Sequence, residues 1–598
     1  MNIDLLPFDD LVSALRGRAD SDSDAVKAVT FVPDPGRAAD GTSLSHAELD
    51  RRARGTAAWL AERTEPGDRV LLLYPPGVEF AAAFFGCLYA GLLAIPAPVP
   101  GRYKHERRRV AGIARNARVG VVLTDRGSLQ EVEKWCADEG VAGVACRATD
   151  SEPADPDAWR PRTRFGPDTV ALLQYTSGST GAPKGVLVRH GDVLANMNQG
   201  WRSLEVNRSH RFGGWIPLYH DMGLMGLMLP GILLADGYVQ MNPLTFLRRP
   251  HQWLRLLDDF DINVTASPDF GYELCLRRVT DEQLAGLDLS RVHAAVNGSE
   301  PIRADVVAGF VERFRSAGFP SSALTPMYGM AEATLVVTGS GVSRPARVVS
   351  VEVPALEQGS LRRAGPGAPA RDLVGCGFSV DLTLHIVDPD KGEVLPEGRI
   401  GEIWISGPSV TSGYWEQPEA TRAKFEAFTA DGRGPFLRTG DLGGLLDGEL
   451  FVTGRRKDVL VVHGRNIHPQ DVEDELRSQH EELRGLHGAV FTVDGGGEDH
   501  AVQESVVVLH EIRGRWGAVR LGEIASAMKL TVAREFGVPV GGVVLLRPGA
   551  IMRTTSGKVE RSAMRTRYLT GALAPLAASE DPRLTAALGR QGREAALS

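Results

Sequence analysis

The sequence is poor in the features that mark several common protein classes. Only five cysteines occur in 598 residues, Cys87, Cys136, Cys146, Cys275 and Cys376, and no two form a CxxC pair. An odd, scattered set argues against a disulfide framework and a zinc cluster, and fits reduced buried thiols in a cytoplasmic protein. Positive charge is not in excess: 67 Lys and Arg stand against 75 Asp and Glu, a net charge of -8. A nucleic-acid partner calls for a concentrated basic surface, so none is expected. The first twenty residues, MNIDLLPFDDLVSALRGRAD, carry acids early and no basic stretch before a long apolar core. No signal peptide is read there. One uncharged run, Phe80 to Pro100, reaches bilayer length. Gly86, Gly91, Pro96, Pro98 and Pro100 break it, so a helix ending near Gly91 and a short strand are expected instead of a membrane span.

What is present fits a soluble globular chain, 43% hydrophobic and 24% charged. The first half alternates helix and strand patterns. SLSHAELDRRARGTAAWLAER is helical, with Ser45 and Glu48 spaced as a capping box. DRVLLLYP, GLLAIPA, VGVVLTD and INVTASP are near-continuous apolar strands. Such strands separated by helices predict parallel sheets covered on both faces. From about 378 to 453 the sequence turns β-rich, with turn signals at Asp390 and Gly398. Beyond GRRKD (Gly454 to Asp458) a compact α+β unit follows, its first helix starting at Pro469. The expected fold is α/β: a large N-terminal domain over 1–456 with several subdomains, and a small mobile C-terminal domain over 457–575. Residues 576–598 read as a loosely held tail.

Between the strand TVALLQY and the helix start GDVLAN lies TSGSTGAPKG. Glycine conformations free backbone N–H groups for anions, and Thr176, Ser177, Ser179 and Thr180 add hydroxyl donors around Gly178 and Gly181. Lys184 adds a mobile cation. The combination suits a polyphosphate at the carboxyl end of a strand. It is not a Walker A loop, because Lys184 lies between Pro183 and Gly185 and no GK[ST] follows the glycines. That counts against a P-loop NTPase or kinase.

TSGSTGAPKG resembles the phosphate loop of the adenylate-forming enzymes, which include acyl-CoA synthetases, peptide-synthetase adenylation domains and luciferases. MYGMAEAT (Met327–Thr334), LRTGDLG (Leu437–Gly443), GRRKD and TTSGKVER (Thr554–Arg561) resemble further motifs of that family, in its order. The resemblance spans nearly the whole chain. It implies ATP, a bound acyl-adenylate and Mg²⁺. By position, Tyr328 with Gly329, Met330 and Ala331 would flank adenine, and Asn297, Gly298, Ser299 and Glu300 would line its other side. Glu332 would hold Mg²⁺ with Thr176. Asp441 would accept the ribose hydroxyls beside Arg455, Lys457 would be the domain hinge, and Lys558 the catalytic lysine. The chemistry explains these residue types. A carboxylate attacks the α-phosphorus of ATP, both partners are anionic, and positioning with charge neutralisation does the work. No general base is needed for an acid already ionised at neutral pH.

Several stretches are similar to fatty acyl-AMP ligases. WIPLYHDMGLMG (Trp215–Gly226) resembles their acyl-site signature and places His220 near the reacting carboxylate. Ala331 replaces the Thr common in synthetases, VHGRNIHPQDVE (Val462–Glu473) has the ligase pattern, and TASPDFGYELC resembles an acyl-pocket segment. Residues 341–377 look like the ligase insertion, associated in that group with restricted domain motion and poor use of CoA. The resemblance implies fatty-acid adenylation and transfer to the phosphopantetheine thiol of an acyl carrier protein, feeding polyketide or nonribosomal peptide synthesis. A fatty-acid CoA ligase is the alternative, and a catalytically silent adenylate-fold binding protein a remoter one. An apolar tunnel is expected, with Met222 and Phe270, and further Met225 and Met228, as wall candidates. Carrier proteins are acidic, so a basic docking face is expected. Arg102 to Arg118 is a candidate, with a salt-bridged solvated helix face as the plainer reading.

Overall fold

A computed structural model describes residues 8–36, 41–101, 104–141, 143–151, 155–176, 183–462, 465–493, 505–554, 557–582 and 584–585. Two large sheets dominate the first part. The six-stranded sheet has the order Ala145–Ala148, Val121–Thr124, Arg69–Leu73, Leu93–Ala97, Val170–Thr176, Lys184–Arg189. Its first five strands pair in parallel and the last is antiparallel. The eight-stranded sheet carries the parallel strands Phe212–Gly214, Val264–Ser267, Ala294–Asn297 and Leu324–Gly329. These four strands are short and almost wholly buried, as expected for the parallel centre of a covered sheet.

Phe80–Pro100 is the packed boundary between helix and strand that its glycines and prolines predicted. The helix Glu79–Tyr89 ends before Gly91, which has φ +74°, and the strand Leu93–Ala97 pairs with Arg69–Leu73. Among the described residues no helix is long and apolar enough to cross a membrane. Ser45 caps the helix His46–Ala61 by accepting from the Glu48 N–H at 3.2 Å. The return half of the capping box is replaced, because the Glu48 carboxylate pairs with Arg51 and Arg52.

A four-stranded antiparallel sheet, Thr383–Val387, Gly401–Ser406, Leu437–Leu446 and Glu449–Arg455, accounts for the β-rich stretch. Residues 341–377 form a two-stranded antiparallel unit, Val348–Glu352 with Ala370–Val374, around the short helix Val353–Glu357. After the single turn Arg456–Asp458 a separate apolar cluster begins, built on Val472, Leu476, Val508 and Met528. Its sheet is Gly488–Val493, Ser505–Glu511, Val540–Leu546 and Ala577–Glu580. The last strand corrects the expectation of a loose tail from 576. Ala577–Glu580 pairs with Val540–Leu546, and Leu584 is buried behind it. Short alternation without a long apolar run hid this edge strand from sequence reading.

Candidate active site

A cleft of about 2620 Å³ runs between the large body and the C-terminal unit. Strand ends, loops and helices all contribute to its walls. Val170–Thr176 and Lys184–Arg189 form a hairpin in which Thr176 faces Lys184, and both line the cleft. This corrects the expected path from strand through loop to helix: a second strand intervenes, and the helix begins at His190. Ser177, Gly178, Ser179, Thr180 and Gly181 lie outside the described residues. The Lys184 ammonium sits 5.1 Å from the Tyr414 ring centroid, a cation–π contact. The Tyr414 hydroxyl donates to Glu332 Oε1 at 2.7 Å. One chain of contacts therefore joins the hairpin to the turn Ala331–Ala333, whose Glu332 carbonyl also accepts from the Thr411 N–H and hydroxyl, both at 3.0 Å.

Tyr328 and Gly329 end the strand Leu324–Gly329. A Cβ at Gly329 would lie 2.1 Å from the Leu335 carbonyl oxygen, so only glycine fits. The Tyr328 hydroxyl donates to Asp441 Oδ2 at 2.7 Å, and Arg455 Nε donates to Oδ1 at 3.2 Å. Asp441 and Arg455 are register partners on adjacent strands, so the sheet itself sets this pair. Two non-glycine residues hold positive φ beside the cleft: Ser299 at +69° and the β-branched, buried Thr334 at +68°. Such backbones concentrate where surrounding structure fixes a functional geometry.

Gly298, Ser299, Glu300, Met330 and Ala331 line the cleft, but Asn297 does not. Its side chain is fully buried and donates to Asp269 Oδ1 at 3.0 Å, while Asp269 Oδ2 accepts from Arg303 Nε at 2.8 Å. Asn297 faces away from the cleft because it is the last residue of a strand whose neighbours alternate faces. Glu300 Oε1 accepts from the Phe270 N–H at 2.6 Å. Burial first, then the nearby Asp269, push the Glu300 carboxyl up to about 7.

His220 Nδ1 lies 2.8 Å from Asp221 Oδ1, which also accepts from the Met222 N–H at 2.8 Å. Burial would raise the Asp221 carboxyl, but His220, Lys558 and the Met222 N–H outweigh it and hold the group below its ordinary value. Lys558 reaches the cleft from the C-terminal unit. Thr554 and Lys558 close a tight turn, Thr554 N–H to Lys558 O at 2.8 Å and Lys558 N–H to Thr554 Oγ1 at 3.1 Å. Gly557 in that turn has φ +86° and sits on the Phe270 ring, where a Cβ would come within 3.2 Å. Burial lowers the Lys558 ammonium below its usual value, and Arg455 adds to that, while Asp221, Asp441 and Glu300 pull the other way. Lys457 lies in the turn Arg456–Asp458 between the β-rich sheet and the C-terminal unit, at the cleft edge.

A narrow apolar cavity of about 60 Å³ lies against the cleft. Met222 and Val336 line both spaces, and Met225, Gly226, Trp201 and Phe212 line the cavity alone. Met225 and Gly226 belong to a π-helical turn, Leu224–Met228. Met228 is wholly buried and lines neither space, and Phe270 lines the cleft but not the cavity. Sequence reading missed Asp221 and Tyr414. Asp221 follows His220 directly, and an acid beside a candidate site histidine was the available signal. Nothing local marks Tyr414, which reaches Glu332 only through the fold.

The donor set bears on a metal. No group of three or more His, Cys, Asp or Glu side chains suited to a metal occurs among the described residues. Glu332 and Thr176 are hard oxygen donors lining the same cleft. They fit Mg²⁺, which takes one or two protein oxygens together with phosphate oxygens and water.

The chain is similar to known proteins over most of its length. The family model described as AMP-binding enzyme matches residues 17–415. The chain is 38% identical to the medium-chain-fatty-acid–[acyl-carrier-protein] ligase JamA of Moorena producens, over 95% of this chain and 96% of that protein. It is 37% identical to the 4-hydroxyphenylalkanoate adenylyltransferase of Mycobacterium tuberculosis, over 87% of this chain and 86% of that one. The fatty acyl-adenylate ligase from L. pneumophila, solved in complex with acyl adenylate and pyrophosphate, superposes with a TM-score of 0.73 at 32% identity, over 96% of this chain and 99% of the other.

Proposed function

Because the chain belongs to the AMP-binding enzyme family, we propose that it adenylates a fatty acid with ATP and passes the acyl group to the phosphopantetheine thiol of an acyl carrier protein. One observation carries this reading. The apolar cavity lies beside His220, since Met222, two residues further on, lines both cavity and cleft. An acyl chain in the cavity leaves its carboxylate between His220 and Lys558. Each buried methylene contributes about 0.8 kcal/mol, so chain length is selected by how far the cavity admits it.

In the first step a carboxylate oxygen bonds to the α-phosphorus and the bond to pyrophosphate breaks. Lys558 offsets the charge that gathers between the two anions, and its long flexible stem suits arrival from a separate unit. Asp441 accepts the ribose hydroxyls, held in place by Tyr328 and Arg455. Gly298 to Glu300 and Tyr328 to Ala331 flank the adenine. Thr176, Lys184 and the residues between them in sequence hold the outer phosphates. Glu332 and Thr176 would hold Mg²⁺, which shields the departing pyrophosphate. In the second step the thiol sulfur bonds to the acyl carbon, AMP leaves, and the thiol proton passes to solvent.

Lys457 is the hinge between 1–456 and the C-terminal unit. The insertion restrains that hinge. Arg371 on the strand Ala370–Val374 pairs with Asp471 on the helix Pro469–Gln479, and the helix Val353–Glu357 touches the strand Arg465–Ile467. ATP–pyrophosphate exchange measured across a panel of fatty acids and 4-hydroxyphenylalkanoates tests the reading. Exchange should require added acid and peak with a fatty acid. Acid-independent ADP formation would overturn it.

A further inference from the structure

A carrier protein is too large to enter the cleft, so it must sit at the mouth and extend its arm inward. On the basic helix Lys104–Ala117 and its flank, three arginines are already engaged. Arg107 pairs with Asp138 at 3.0 Å and Glu139 at 3.6 Å, Arg115 donates to the Glu139 carbonyl, and Arg118 pairs with Glu416 at 2.7 Å. Another surface has the required properties. On the short helix Pro243–Arg248, Leu244 and Leu247 lie one turn apart, 57% and 41% exposed, and both line the cleft mouth. Exposed leucines paired in this way mark contact surfaces more often than scattered single ones do. Around them stand Arg248, Arg249, Arg277 and Arg278, all exposed. Two carboxylates partner this group, Asp34 with Arg249 at 2.7 Å and Glu273 with Arg277 at 3.9 Å, so positive charge is left over.

The underside of this patch leads to the reaction site. Phe246, from the same helix, is fully buried and stacks on Trp215 at 4.1 Å. Trp215 meets the edge of Phe270 at 5.7 Å, and Phe270 seats Gly557 beside Lys558. Arg278 Nη1 also donates to the Leu247 carbonyl at 3.0 Å, tying the helix Asp269–Arg278 to the patch.

Building on the function proposed above, we infer that this patch, the helix Pro243–Arg248 with the last turn of Asp269–Arg278, is the docking surface for the acyl carrier protein. The leucines meet an apolar strip on the carrier, and the arginines meet its acidic helix and the phosphate that anchors its arm. A bilayer is the less suitable occupant. The patch lies at the rim of a cleft, with the Arg277 guanidinium packed against Gly485 of the C-terminal unit, and a flat membrane cannot follow that contour.

The test uses the full chain, the double variant Leu244→Asp/Leu247→Asp and the single variant Arg248→Glu. Acyl transfer is measured to a holo acyl carrier protein of the bacterial fatty-acid synthase type and to free pantetheine, alongside acid-dependent ATP–pyrophosphate exchange. Both variants should lose about tenfold or more in kcat/KM for the carrier, chiefly through KM. Exchange and transfer to pantetheine should stay within about twofold of the wild type. Unchanged carrier kinetics, or an equal loss with pantetheine, would overturn the docking surface alone. Wild-type binding to phosphatidylglycerol vesicles that the variants lose, with carrier transfer intact, would assign the patch to membranes instead. If the wild type forms acyl-adenylate but acylates neither acceptor, the carrier reading fails and the docking surface with it.

Discussion

The two walls of the cleft are built differently. The wall from the large body is fixed by strand pairing: Thr176 against Lys184, Asp441 against Arg455, and Tyr328 bonded to Asp441. The wall from the C-terminal unit includes the short segment that carries Lys558, seated on Phe270 through Gly557. The first wall suits a nucleotide that must be held the same way throughout. The second suits a charge delivered for one step and withdrawn. Sheet register sets the first side, and Gly557 with its positive φ seats the lysine segment on the other.

Substitutions can break this contrast. The largest effect is expected at the delivered charge. Lys558→Ala should lower acid-dependent ATP–pyrophosphate exchange by roughly 100- to 1000-fold while leaving thermal unfolding near the wild type, because it removes a transition-state contact and little packing. A wild-type exchange rate would remove Lys558 from the chemistry. The next effect falls on the fixed wall. Asp441→Ala leaves the Tyr328 hydroxyl and Arg455 without their shared acceptor, and should raise the KM for ATP about tenfold or more, a loss in the range of about 1.5–3 kcal/mol for hydrogen bonds to charged groups. Titration of exchange against ATP measures it, and an unchanged KM would contradict the ribose role.

A smaller effect sharpens the comparison by loosening the delivered wall. Arg371→Ala cuts the pair with Asp471 that ties the insertion to the C-terminal unit. Acyl-CoA formation should rise a few-fold, the size of change expected from about 1 kcal/mol of lost restraint. No rise would separate the insertion from acceptor choice. The smallest effect concerns pH. The Glu300 carboxyl is raised to about 7, so its contribution to stability is full below its unfolded value and is lost as pH rises through about 7. Glu300→Gln removes that loss. Its unfolding temperature should gain on the wild type between about pH 4.5 and 7 and level off above, a gain on the order of a degree or two. A constant difference across that range would show that Glu300 does not titrate there.

Much of the fixed wall was legible because it consists of local patterns. Apolar runs marked the strands Val170–Thr176 and Val264–Ser267, and in the C-terminal unit Pro469 marked a helix start where one begins. The parts that were not legible depend on pairing across long separations. A glycine-rich loop looks alike whether a helix or an antiparallel strand follows, so the strand Lys184–Arg189 was missed. A strand end fixes position but not which face a side chain takes, so Asn297 was assigned to the cleft while it bonds Asp269. Tyr414 lies 82 residues from Glu332 and no spacing rule connects them. The strand Ala577–Glu580 has little apolar character of its own and is held by its neighbour's backbone.

The measurement closest to the central claim is a competition between acceptors. Enzyme, ATP, Mg²⁺ and the preferred fatty acid are incubated with equal concentrations of CoA and holo carrier protein, and AMP, pyrophosphate and both thioesters are quantified. The account predicts AMP and pyrophosphate in step with acyl-carrier formation, and little acyl-CoA. Efficient acyl-CoA release, with the carrier left unacylated, would contradict it.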